Sequence, residues 1–560
     1  MKRDLQKLAD EVFDIVVVGA GIYGAAAAWD ASLRGLKVAL IDKNDFGSAT
    51  SANSLKIIHG GLRYLQNLDF KRMRESISER RILMHIAPHL VYPMPVIMPT
   101  YSYKLKSRPA MSAALLANDV ISLDRNKLPD PHKYMPSSRT MSAKELRESI
   151  PGYDKYNLNG GAMWYDCQCY NTERLLLSFI LSSAEKGAEA ANYVSATGLL
   201  KDKDRVHGVK AVDVLTGNQF DIRAKMVVNT AGPWVDDLLS GVNGKVNGKK
   251  FNLSSAMNIV VNRNIMGEYA GGLSGPYHHT FEDGREYNAF RILFFTPWRG
   301  RTIIGTNHLP YDGTQDNYKV TESEIQDFIS AVNKAHPAAN IRRDEVTYFY
   351  GGFLPMTGTN PNTGEVQLVK HYKIYDHSTL DGMQGLLTVL GVKYTTARDV
   401  AKKTIDLALE RMGIDSKQCE TSSTRIYGGN IDKFMDFLSE NIQERPFDLN
   451  ESVMRHLSYN YGSALQEILD YGANSPDLLK ILPGTDEVLK AEIVHGVRKE
   501  MALKLSDVVF RRTDLGSAGN PGDEALDSVA KIMADELKWD DRKMKDEIEE
   551  VKDKYIPLQK

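Results

Sequence analysis

Three glycines near the start of the chain have the spacing of a loop that cradles phosphate groups. Gly19, Gly21 and Gly24 stand in the run Gly-Ala-Gly-Ile-Tyr-Gly. The first glycine allows a tight turn, the second lets the backbone approach a pyrophosphate, and the third lets a helix pack closely on a strand. Asp42 follows about 20 residues later, where a carboxylate can accept hydrogen bonds from an adenosine ribose. These residue types in this order predict a dinucleotide site.

The flanking sequence supplies the elements that position this loop. Residues 13–18 form a β-branched run that predicts a strand buried on both faces, and 25–29 open a helix with strong helix formers. A second apolar strand is predicted over 36–41 and ends at Asp42. Because strand, glycine turn, helix and strand occur in order, we predict a βαβ unit whose helix N-terminus faces the phosphates. The unit alone leaves open whether the dinucleotide is FAD or NAD.

The segment 43–64 follows this unit and is rich in Gly, Ser, Asn and Ala. It begins where the second strand ends, on the side where open α/β sheets bind ligands. Thr50 and Ser51 supply hydroxyl groups, and Gly60 permits close backbone approach. We therefore predict a ligand-binding loop, with an ordinary surface loop as the alternative.

The composition narrows the classes of function. The 560 residues suffice for two or three domains, and 42% hydrophobic and 25% charged residues are typical of a globular protein. A formal net charge of −2 gives no reason to expect a nucleic-acid partner. Three cysteines point to a reducing, cytoplasmic location. No metal site is expected, because Cys167-Gln168-Cys169 has no second Cys/His pair and His278-His279 has no matching acid.

A basic segment raises the question of membrane contact. Lys104, Lys106 and Arg108 precede the apolar run 111–116, an arrangement that can rest on an anionic membrane surface. An ordinary helix with a solvated basic approach is the alternative. No run of 18 apolar residues is present, so no membrane span is predicted. Peripheral contact with the inner face of the cell membrane and homodimer formation both stay open.

The predicted fold class is α/β, or α+β for the whole chain. Residues 224–234 and 385–398 each predict a buried strand followed by a small-residue turn and a helix, so both should rejoin the nucleotide-binding sheet. Residues 251–360 alternate in the manner of an antiparallel sheet. Beyond Cys419 the pattern is helical, and we predict these helices: Asp432 to Asn441, Glu451 to Tyr461, Leu465 to Tyr471, Asp486 to Glu500 and Asp523 to Asp553.

These patterns divide the chain into parts. We predict that the dinucleotide-binding domain is assembled from three segments, with a cap segment and a sheet domain for substrate between them and a helical domain at the end. The boundaries are as follows: dinucleotide-binding domain 1–80, 166–250 and 381–415; substrate or cap segment 81–165; antiparallel-sheet substrate domain 251–380; α-helical C-terminal domain 416–560.

Several longer motifs resemble one family. They are the glycine fingerprint, TSANSLKIIHGGLRYLQ (Thr50 to Gln66), VVNTAGPWVDDL (Val227 to Leu238), LGVKYTTAR (Leu390 to Arg398) and LSDVVFRRTDLG (Leu505 to Gly516). Together they resemble the FAD-dependent glycerol-3-phosphate dehydrogenase and oxidase family over nearly the whole chain. The resemblance implies that the dinucleotide is FAD, in a Rossmann-like FAD-binding domain. It also implies oxidation of sn-glycerol 3-phosphate to dihydroxyacetone phosphate, with hydride passing to flavin N5 and electrons going on to quinone or oxygen.

The resemblance implies a set of cofactor-binding residues, which follow FAD from its ADP half to its flavin. They are Gly19, Gly21, Gly24 and Asp42; Thr50, Ser51, Lys56, Ile57, His59 and Gly60; Val194; Ala231, Gly232 and Trp234; and Gly391, Lys393, Tyr394 and Thr395.

The resemblance also implies contacts with a small anionic substrate. Arg63, Tyr64, Lys393 and Thr395 match substrate contacts of the family, and Lys370 falls where the family usually has an arginine. A phosphate dianion needs Arg or Lys donors, and the flavin gains from a nearby cation as hydride arrives. The implied catalytic residues are His59, Arg63, Lys393 and His308.

Two positions depart from the family pattern. Leu354 stands where the family ordinarily carries an arginine before a proline, and that arginine points into the substrate site. The family's Gly-Thr-Thr-Asp turn is replaced by Gly-Thr-Asn-His, which ends at His308. Losing an arginine that contacts a charged group would cost on the order of a few kcal/mol. The departures indicate either a different substrate or an anion held by other residues.

The general base is left open between two histidines. His59 and His308 each carry an imidazole, which can take the proton of an alcohol as hydride leaves. A structural role is the alternative for both, and Lys393 is interpreted as electrostatic rather than basic.

Three functions are compatible with these residues. The first is oxidation of glycerol 3-phosphate or a related anionic polyol, and the second is oxidation of an amine, amino acid or 2-hydroxy acid, which Leu354 favours. The third is a non-enzymatic flavin-binding protein that uses its helical C-terminal domain to engage a partner. Four intact residues argue against the third, because a binding module has no need of a cationic floor beside the flavin: Lys56, His59, Arg63 and Lys393.

Overall fold

The computed structural model describes residues 1–101, 107–155, 157–240, 251–280, 283–415 and 417–559. Its strands are β1 (Val12–Val18), β2 (Val38–Ile41), β3 (Ile57–Ile58), β4 (Val91–Tyr101), β5 (Arg139–Ser142), β6 (Leu158–Cys169), β7 (Glu189–Ala191), β8 (Val194–Asp202), β9 (Arg205–Asp213), β10 (Gln219–Asn229), β11 (Asn252–Val261), β12 (Ala270–Thr280), β13 (Glu286–Trp298), β14 (Arg301–Tyr311), β15 (Val346–Thr359), β16 (Val366–Leu368), β17 (Lys373–Asp376) and β18 (Leu386–Leu390). Its α-helices are α1 (Leu5–Asp10), α2 (Ile22–Leu33), α3 (Phe70–Ile86), α4 (Arg108–Ile121), α5 (Ala143–Ser149), α6 (Thr172–Glu185), α7 (Val235–Ser240), α8 (Glu322–Ala335), α9 (His377–Leu380), α10 (Ala397–Met412), α11 (Phe434–Glu444), α12 (Glu451–Tyr461), α13 (Leu465–Leu469), α14 (Tyr471–Asn474), α15 (Lys490–Arg498), α16 (Leu505–Asp507), α17 (Asp523–Leu537) and α18 (Asp541–Asp553).

The first sheet is built around β1. The described strands follow the order β17-β18-β10-β1-β2-β7, and β8 and β9 extend β10 as an antiparallel meander. β1 runs parallel to β2 and β10, and β10 runs parallel to β18. Ile15, Val16 and Val17 are each 0% exposed because helices cover one side of β1 and the meander region covers the other. The predicted βαβ unit and the return of 224–234 and 385–398 to its sheet are confirmed.

The turn from β1 into α2 requires its glycines. Gly19 has φ +98°, and a Cβ there would lie 2.7 Å from Ala231 Cα. A Cβ on Gly24 would lie 1.9 Å from the Gly19 carbonyl oxygen. Both approaches exclude any side chain, so the glycine spacing lets α2 sit directly against the carboxyl ends of β1 and β10.

The second sheet forms the other half of the molecule. Its described strands follow the order β16-β15-β11-β14-β13-β12-β4-β6-β3, with β5 beside β6. The predicted antiparallel sheet over 251–360 is therefore confirmed, and the segment before it adds β3, β4, β5 and β6 to the same sheet. At the other end, β17 pairs with β18 in the first sheet, although it falls within the predicted substrate domain 251–380.

The C-terminal region is helical from α11 onward, as predicted. One predicted helix is wrong: Asp523 to Asp553 is two helices, α17 and α18. Lys538 adopts a left-handed conformation with φ +59° and ends the first helix. Asp540 then caps the second, since its side chain accepts a hydrogen bond from the Lys543 N–H at 2.7 Å. The hydrophobic period continues through this turn, so periodicity alone could not reveal it.

Buried ion pairs join the helical region to the first sheet. Arg174 on α6 donates to both carboxylate oxygens of Glu500 at 2.6 and 2.7 Å, and both side chains are at most 1% exposed. Asp45, in the loop after β2, accepts hydrogen bonds from Arg511 at 2.5 Å and from Arg512 at 2.8 and 2.9 Å. Buried charges are tolerated only when paired, so these contacts fix how the two regions dock.

The segment proposed for membrane contact is described only in part. Lys104 and Lys106 lie outside the described residues. Arg108 begins α4, where Leu116 is 67% exposed, Val120 57% and, just beyond the helix, Leu123 78%. Within the described ranges, no helix has both the length and the apolar composition required to cross a bilayer. Peripheral membrane contact stays a prediction.

The ion pair between Arg174 and Glu500 generates a stability prediction. We expect Arg174→Met to lower the free energy of unfolding by about 3–5 kcal/mol, because Glu500 would be left as a buried charge without its main partner. Arg498→Met is the matched control: Arg498 pairs with Glu536 from a side chain that is 53% exposed, and such pairs are worth about 1 kcal/mol or less. Thermal and urea unfolding of the two variants measure the difference. Equal losses in both would contradict the assigned importance of the buried pair.

Candidate active site

A long cavity runs between the two sheets. Its volume is about 790 Å³, and it extends from the end of β2, past the glycine turn, to the roof strand β15 and the turn after β18. A cavity of this size accommodates a large cofactor. Most residues predicted to bind a cofactor lie on its wall: Gly19, Gly21, Asp42, Thr50, Ser51, Lys56, Ile57, His59, Val194, Ala231, Gly232, Trp234, Gly391, Lys393, Tyr394 and Thr395.

One end of the cavity has the features of a diphosphate site. The first turn of α2 opens onto the wall, with its N-terminus beginning at Gly21. Ser51 lies beside it and accepts a hydrogen bond from the Ile22 N–H at 3.0 Å. The unpaired N–H groups and dipole of a helix N-terminus attract phosphate. The glycine turn is thus placed to receive a pyrophosphate, as its spacing predicted.

Asp42 is held at the next position along the wall. Its carboxylate accepts hydrogen bonds from the Ala20 N–H at 2.7 Å and the Asn44 N–H at 2.9 Å. Burial raises the pKa of Asp42 to about 6, although both backbone N–H groups favour the charged form. The carboxylate therefore gains from a further donor such as a ribose hydroxyl.

Trp234 places on the cavity wall a hydrogen-bond donor that the described residues leave unsatisfied. Its indole Nε1 is buried and has no hydrogen-bond partner among the described residues. The Lys43 ammonium lies 4.2 Å from the centre of its ring. A buried donor without a partner is costly, and it would be satisfied by an acceptor atom of a bound molecule. The indole donor therefore suits an acceptor-rich cofactor such as a dinucleotide, whereas Lys43 is already paired with Asp316 at 2.7 Å.

The turn 391–393 is held by a residue that the sequence interpretation missed. The Tyr23 hydroxyl donates to the Lys393 carbonyl at 2.7 Å and accepts from the N–H groups of Val392 and Lys393. Gly391 is required here, because a Cβ would lie 2.1 Å from the Tyr23 ring. Tyr23 stands inside the glycine fingerprint, but its partners are about 370 residues away in sequence, so no local signal revealed its role.

The roof of the cavity is fastened to the loop after β2. Thr50 Oγ1 donates to the Phe353 carbonyl at 3.1 Å and accepts from the Phe353 N–H at 3.2 Å. The next residue, Leu354, lies on the cavity wall and presents an apolar side chain. Beside it, Thr306 donates to Asn258 at 2.8 Å. The roof strand therefore lacks a positive charge at the position where the family has arginine.

His59 and a buried carboxylate form a pair at this end of the cavity. His59 Nδ1 lies 3.7 Å from Asp166 Oδ2, and its backbone N–H donates to Thr395 at 3.2 Å. Asp166 also accepts from the Gly60 N–H, from Arg80 at 3.0 Å and from Trp164 at 3.2 Å. Burial alone would raise the pKa of Asp166, but the His59 ring and Arg80 hold it well below its ordinary value. Asp166 thus stays charged beside the His59 ring, at 3.7 Å from Nδ1.

Lys56 does not contribute to a cationic floor. Its ammonium group is buried and donates to both oxygens of Glu173 at 2.8 and 2.9 Å and to Thr172 at 2.9 Å. The rings of Tyr350 and Trp298 lie 5.0 and 5.2 Å from it. Because Glu173 neutralises this charge, Lys56 lines the cavity without offering its cation to a ligand. The charge pattern expected from the sequence is wrong at this position.

Lys393 lines the cavity and has no acidic partner within 4 Å among the described residues. Its ammonium group donates to Ser76 and lies 4.7 Å from the centre of the Tyr64 ring. Burial, followed by the neighbouring Arg72, lowers the pKa of Lys393 to about 7. An anion that binds beside a buried lysine favours its protonated form and raises its pKa.

The remaining predicted residues do not line the cavity in this structure. Gly24 packs on Gly19, and Gly60 packs on Arg80, to which a Cβ would lie 2.4 Å. Arg63 is exposed and Tyr64 half-buried at the edge, in the 3₁₀ helix Leu62–Asn67. Lys370 is exposed, although its neighbour His371 lies 3.5 Å from Asp69 in the same edge region.

His308 has an environment unlike that of His59. It lies on β14, opposite Ala256 on β11, and is not among the residues that line the cavity; its Nδ1 is buried without a hydrogen-bond partner among the described residues. Burial, with added effects from Arg291 and Arg63, lowers the pKa of His308 to about 4. The imidazole is therefore neutral at pH 7 and a weaker base than a free histidine.

Comparison with known proteins identifies the family. Residues 14–398 match the model of the FAD dependent oxidoreductases, and 419–544 match the C-terminal domain of alpha-glycerophosphate oxidase. A glycerol-3-phosphate dehydrogenase of Synechocystis sp. is 32% identical over 96% of this chain and 95% of its own length. The chain belongs to the FAD-dependent glycerol-3-phosphate dehydrogenase family. The human mitochondrial glycerol-3-phosphate dehydrogenase is 31% identical over 96% of this chain and 72% of its own length.

A solved structure of this family supports the fold and the cofactor. The glycerol-3-phosphate dehydrogenase of Bacillus halodurans, complexed with FAD, superposes with a TM-score of 0.74 at 25% identity, covering 98% of this chain and 95% of that chain. The predicted Rossmann-like FAD-binding domain, antiparallel sheet and helical C-terminal domain are confirmed. FAD is the cofactor, and the glycine turn, Asp42 and the Trp234 indole are the groups of this family member suited to hold it.

Metal ligation receives no support from the cysteines. Cys167 and Cys169 are both buried and unpaired. Across the described part of the chain, no three His, Cys, Asp or Glu side chains are grouped so that they could hold a metal ion. His278 instead contacts Asn288 at 2.8 Å.

Asp42 generates a prediction about FAD affinity. Because its carboxyl group titrates near pH 6, and a carboxylate accepts from a ribose hydroxyl better than a protonated acid does, FAD should bind more tightly as the pH rises from 5 to 7. Asp42→Asn has the same shape but does not titrate, so it should bind FAD about tenfold more weakly at pH 7 and lose this dependence. Fluorescence titration of the deflavinated protein with FAD measures both. If FAD affinity changed with pH to the same extent in wild type and Asp42→Asn, the role of Asp42 would be disproved.

Proposed function

We propose that this protein oxidises sn-glycerol 3-phosphate to dihydroxyacetone phosphate and passes the electrons to quinone or oxygen. FAD would supply the redox chemistry, namely two-electron oxidation of the C2 alcohol and onward transfer of the electrons to quinone or oxygen. The observation that carries the proposal is that His59, Lys393 and the glycine turn all line one cavity. Relatives named glycerol-3-phosphate dehydrogenase align over nearly the whole chain.

His59 is the proposed general base. It stands on the cavity wall with a side chain that is 39% exposed, so substrate can reach its ring. Asp166 lies 3.7 Å from Nδ1, which leaves Nε2 to take the proton of the C2 hydroxyl. An orienting carboxylate behind an imidazole also stabilises the imidazolium that proton transfer forms. His308, with its pKa lowered to about 4, is better suited to a neutral polar contact.

The substrate's negative charge is proposed to lie towards Lys393, Arg63 and Tyr64. Lys393 donates through an ammonium group that has no acidic partner within 4 Å among the described residues. Arg63 is exposed in the same 3₁₀ helix as Tyr64. Leu354 favours the second candidate, oxidation of an amine, amino acid or 2-hydroxy acid, because the roof offers no arginine to a phosphate group.

Anaerobic reduction of the flavin distinguishes the candidates. We expect glycerol 3-phosphate to bleach the visible absorbance of the holoenzyme, since hydride transfer converts oxidised to reduced flavin. Glycerol and 2-hydroxy acids serve as matched compounds without the phosphate. Bleaching by an amine or a 2-hydroxy acid but not by glycerol 3-phosphate would replace the proposed substrate. Reoxidation of the bleached enzyme by a soluble quinone or by oxygen then identifies the acceptor.

Lys393 generates a pH prediction for the same reaction. The free enzyme loses the Lys393 proton near pH 7, while an anionic substrate binds the charged form, so substrate affinity should fall as pH rises above 7. The apparent KM should rise up to about tenfold per pH unit, and Lys393→Arg should move this rise to higher pH because arginine stays charged. Steady-state kinetics between pH 6 and 9 measure the effect. A KM that is independent of pH in the wild type would rule out Lys393 as the anion's partner.

A further inference from the structure

Several cationic side chains surround one aromatic ring beside the cavity. The Arg72 guanidinium carbon lies 4.1 Å from the centre of the Tyr64 ring, and the Lys393 ammonium lies 4.7 Å from it. Arg63 belongs to the same short helix as Tyr64, and it acts electrostatically on the Tyr64 hydroxyl together with Arg72. We call Arg63, Arg72, Lys393 and Tyr64 the Tyr64 cluster.

Arg72 has no acidic partner. Its backbone N–H caps α3 through Asp69 at 3.1 Å, but its guanidinium group makes no hydrogen bond or ion pair with any other residue in the described ranges. It is half-buried against Tyr64 rather than free in solvent. An aromatic face holds this guanidinium group in place, and its N–H donors are unused by the described residues. They are therefore available to donate hydrogen bonds to a bound anion.

The nearby carboxylates are bound to other groups. Asp69 accepts from the Arg72 backbone and lies 3.5 Å from His371. Glu75 contacts Lys403 at 3.1 Å. Asp166 is occupied by the Gly60 N–H, Arg80 and Trp164. The positive charge of the cluster is therefore not neutralised from within, although three acids lie close to it.

The cluster is continuous with the active site. Lys393 belongs both to the cavity wall and to the Tyr64 cluster, and its ammonium group donates to Ser76, one turn after Arg72 on α3. Arg72 itself is not on the cavity wall, but it shares the Tyr64 ring with Lys393, which is. At Leu354 the wall is apolar.

We propose that Arg72 is a substrate-binding residue, which together with Lys393 and Tyr64 holds the phosphate group of the substrate in place of the arginine that Leu354 replaces. The guanidinium group donates in a planar fork to phosphate oxygens, Lys393 adds a second cation, and the Tyr64 ring keeps Arg72 oriented. This inference rests on the proposed function for the identity of the substrate. The binding of an anion at the Tyr64 cluster does not depend on which substrate is oxidised.

Phosphate binding tests the site without turnover. We expect isothermal titration calorimetry of the holoenzyme with inorganic phosphate to show binding, and Arg72→Ala to weaken it about tenfold or more, as expected for loss of hydrogen bonds to a charged group. Lys71→Ala is the matched control, because Lys71 is an exposed cation on the same helix turn. FAD content and near-ultraviolet circular dichroism verify that each variant is folded. Equal phosphate affinity in wild type and Arg72→Ala, or no phosphate binding by the wild type, would overturn the proposal.

Kinetics with glycerol 3-phosphate separate this proposal from the proposed function. Arg72→Ala should raise KM about tenfold or more with a much smaller change in kcat, and Arg72→Lys should recover part of the loss. If glycerol 3-phosphate fails to reduce the wild-type flavin while phosphate binding still depends on Arg72, the anion site stands and the substrate assignment falls. If reduction occurs and KM is unaffected by Arg72→Ala, the proposed function stands and Arg72 is excluded.

Discussion

The close approach of α2 to the first sheet is the constraint on which the rest of the site depends. Gly24 touches the Gly19 carbonyl, and Gly19 touches Ala231, at distances that no side chain could occupy. This contact brings the helix N-terminus to the carboxyl ends of β1 and β10, so its N–H groups line the cavity where Asp42 and Trp234 also meet. Tyr23, on the same first turn, then holds the turn that carries Lys393. One glycine-dependent contact therefore positions both ends of the cofactor site.

Charge is distributed unevenly around this cavity. Lys56, Arg174 and Arg512 are buried and neutralised by acids, so they stabilise the docking of loops and helices and offer nothing to a ligand. Lys393 and Arg72 lack acidic partners among the described residues, and both lie against the Tyr64 ring. The difference follows from solvation. A fully buried cation has lost its water and must be paired with an acid within the chain, whereas a half-buried cation keeps part of its hydration and is stable without an acidic partner. Leu354 and Lys393 both line the cavity, so its wall is apolar at one of these positions and carries an ammonium group at the other.

The sequence predicted a large share of this arrangement. The β-branched run before Gly19 and the run 224–234 were placed in one parallel sheet because buried strands and glycine turns have strong local signals. The helix 523–553 was predicted as continuous because its hydrophobic period passes through Lys538, whose left-handed backbone leaves no pattern in residue type. Lys56 was expected to face the flavin from motif position alone, whereas the direction of its side chain depends on Glu173 and Thr172 on another helix.

The sequence by itself determined the dinucleotide turn, the main segments that belong to each of the two sheets, and the helical C-terminal region. Through the family resemblance it also determined FAD as the cofactor. These features depend on short-range patterns of hydrophobicity and on glycines whose role is steric. Only the tertiary structure decided which charges remain unpaired. Asp166 behind His59, Tyr23 under Lys393 and Arg72 on Tyr64 are contacts between segments far apart in the chain. Folding determines which charged groups lie next to one another. The ion pairs and the protonation of an individual Lys, Arg or His therefore cannot be predicted from its neighbours in sequence.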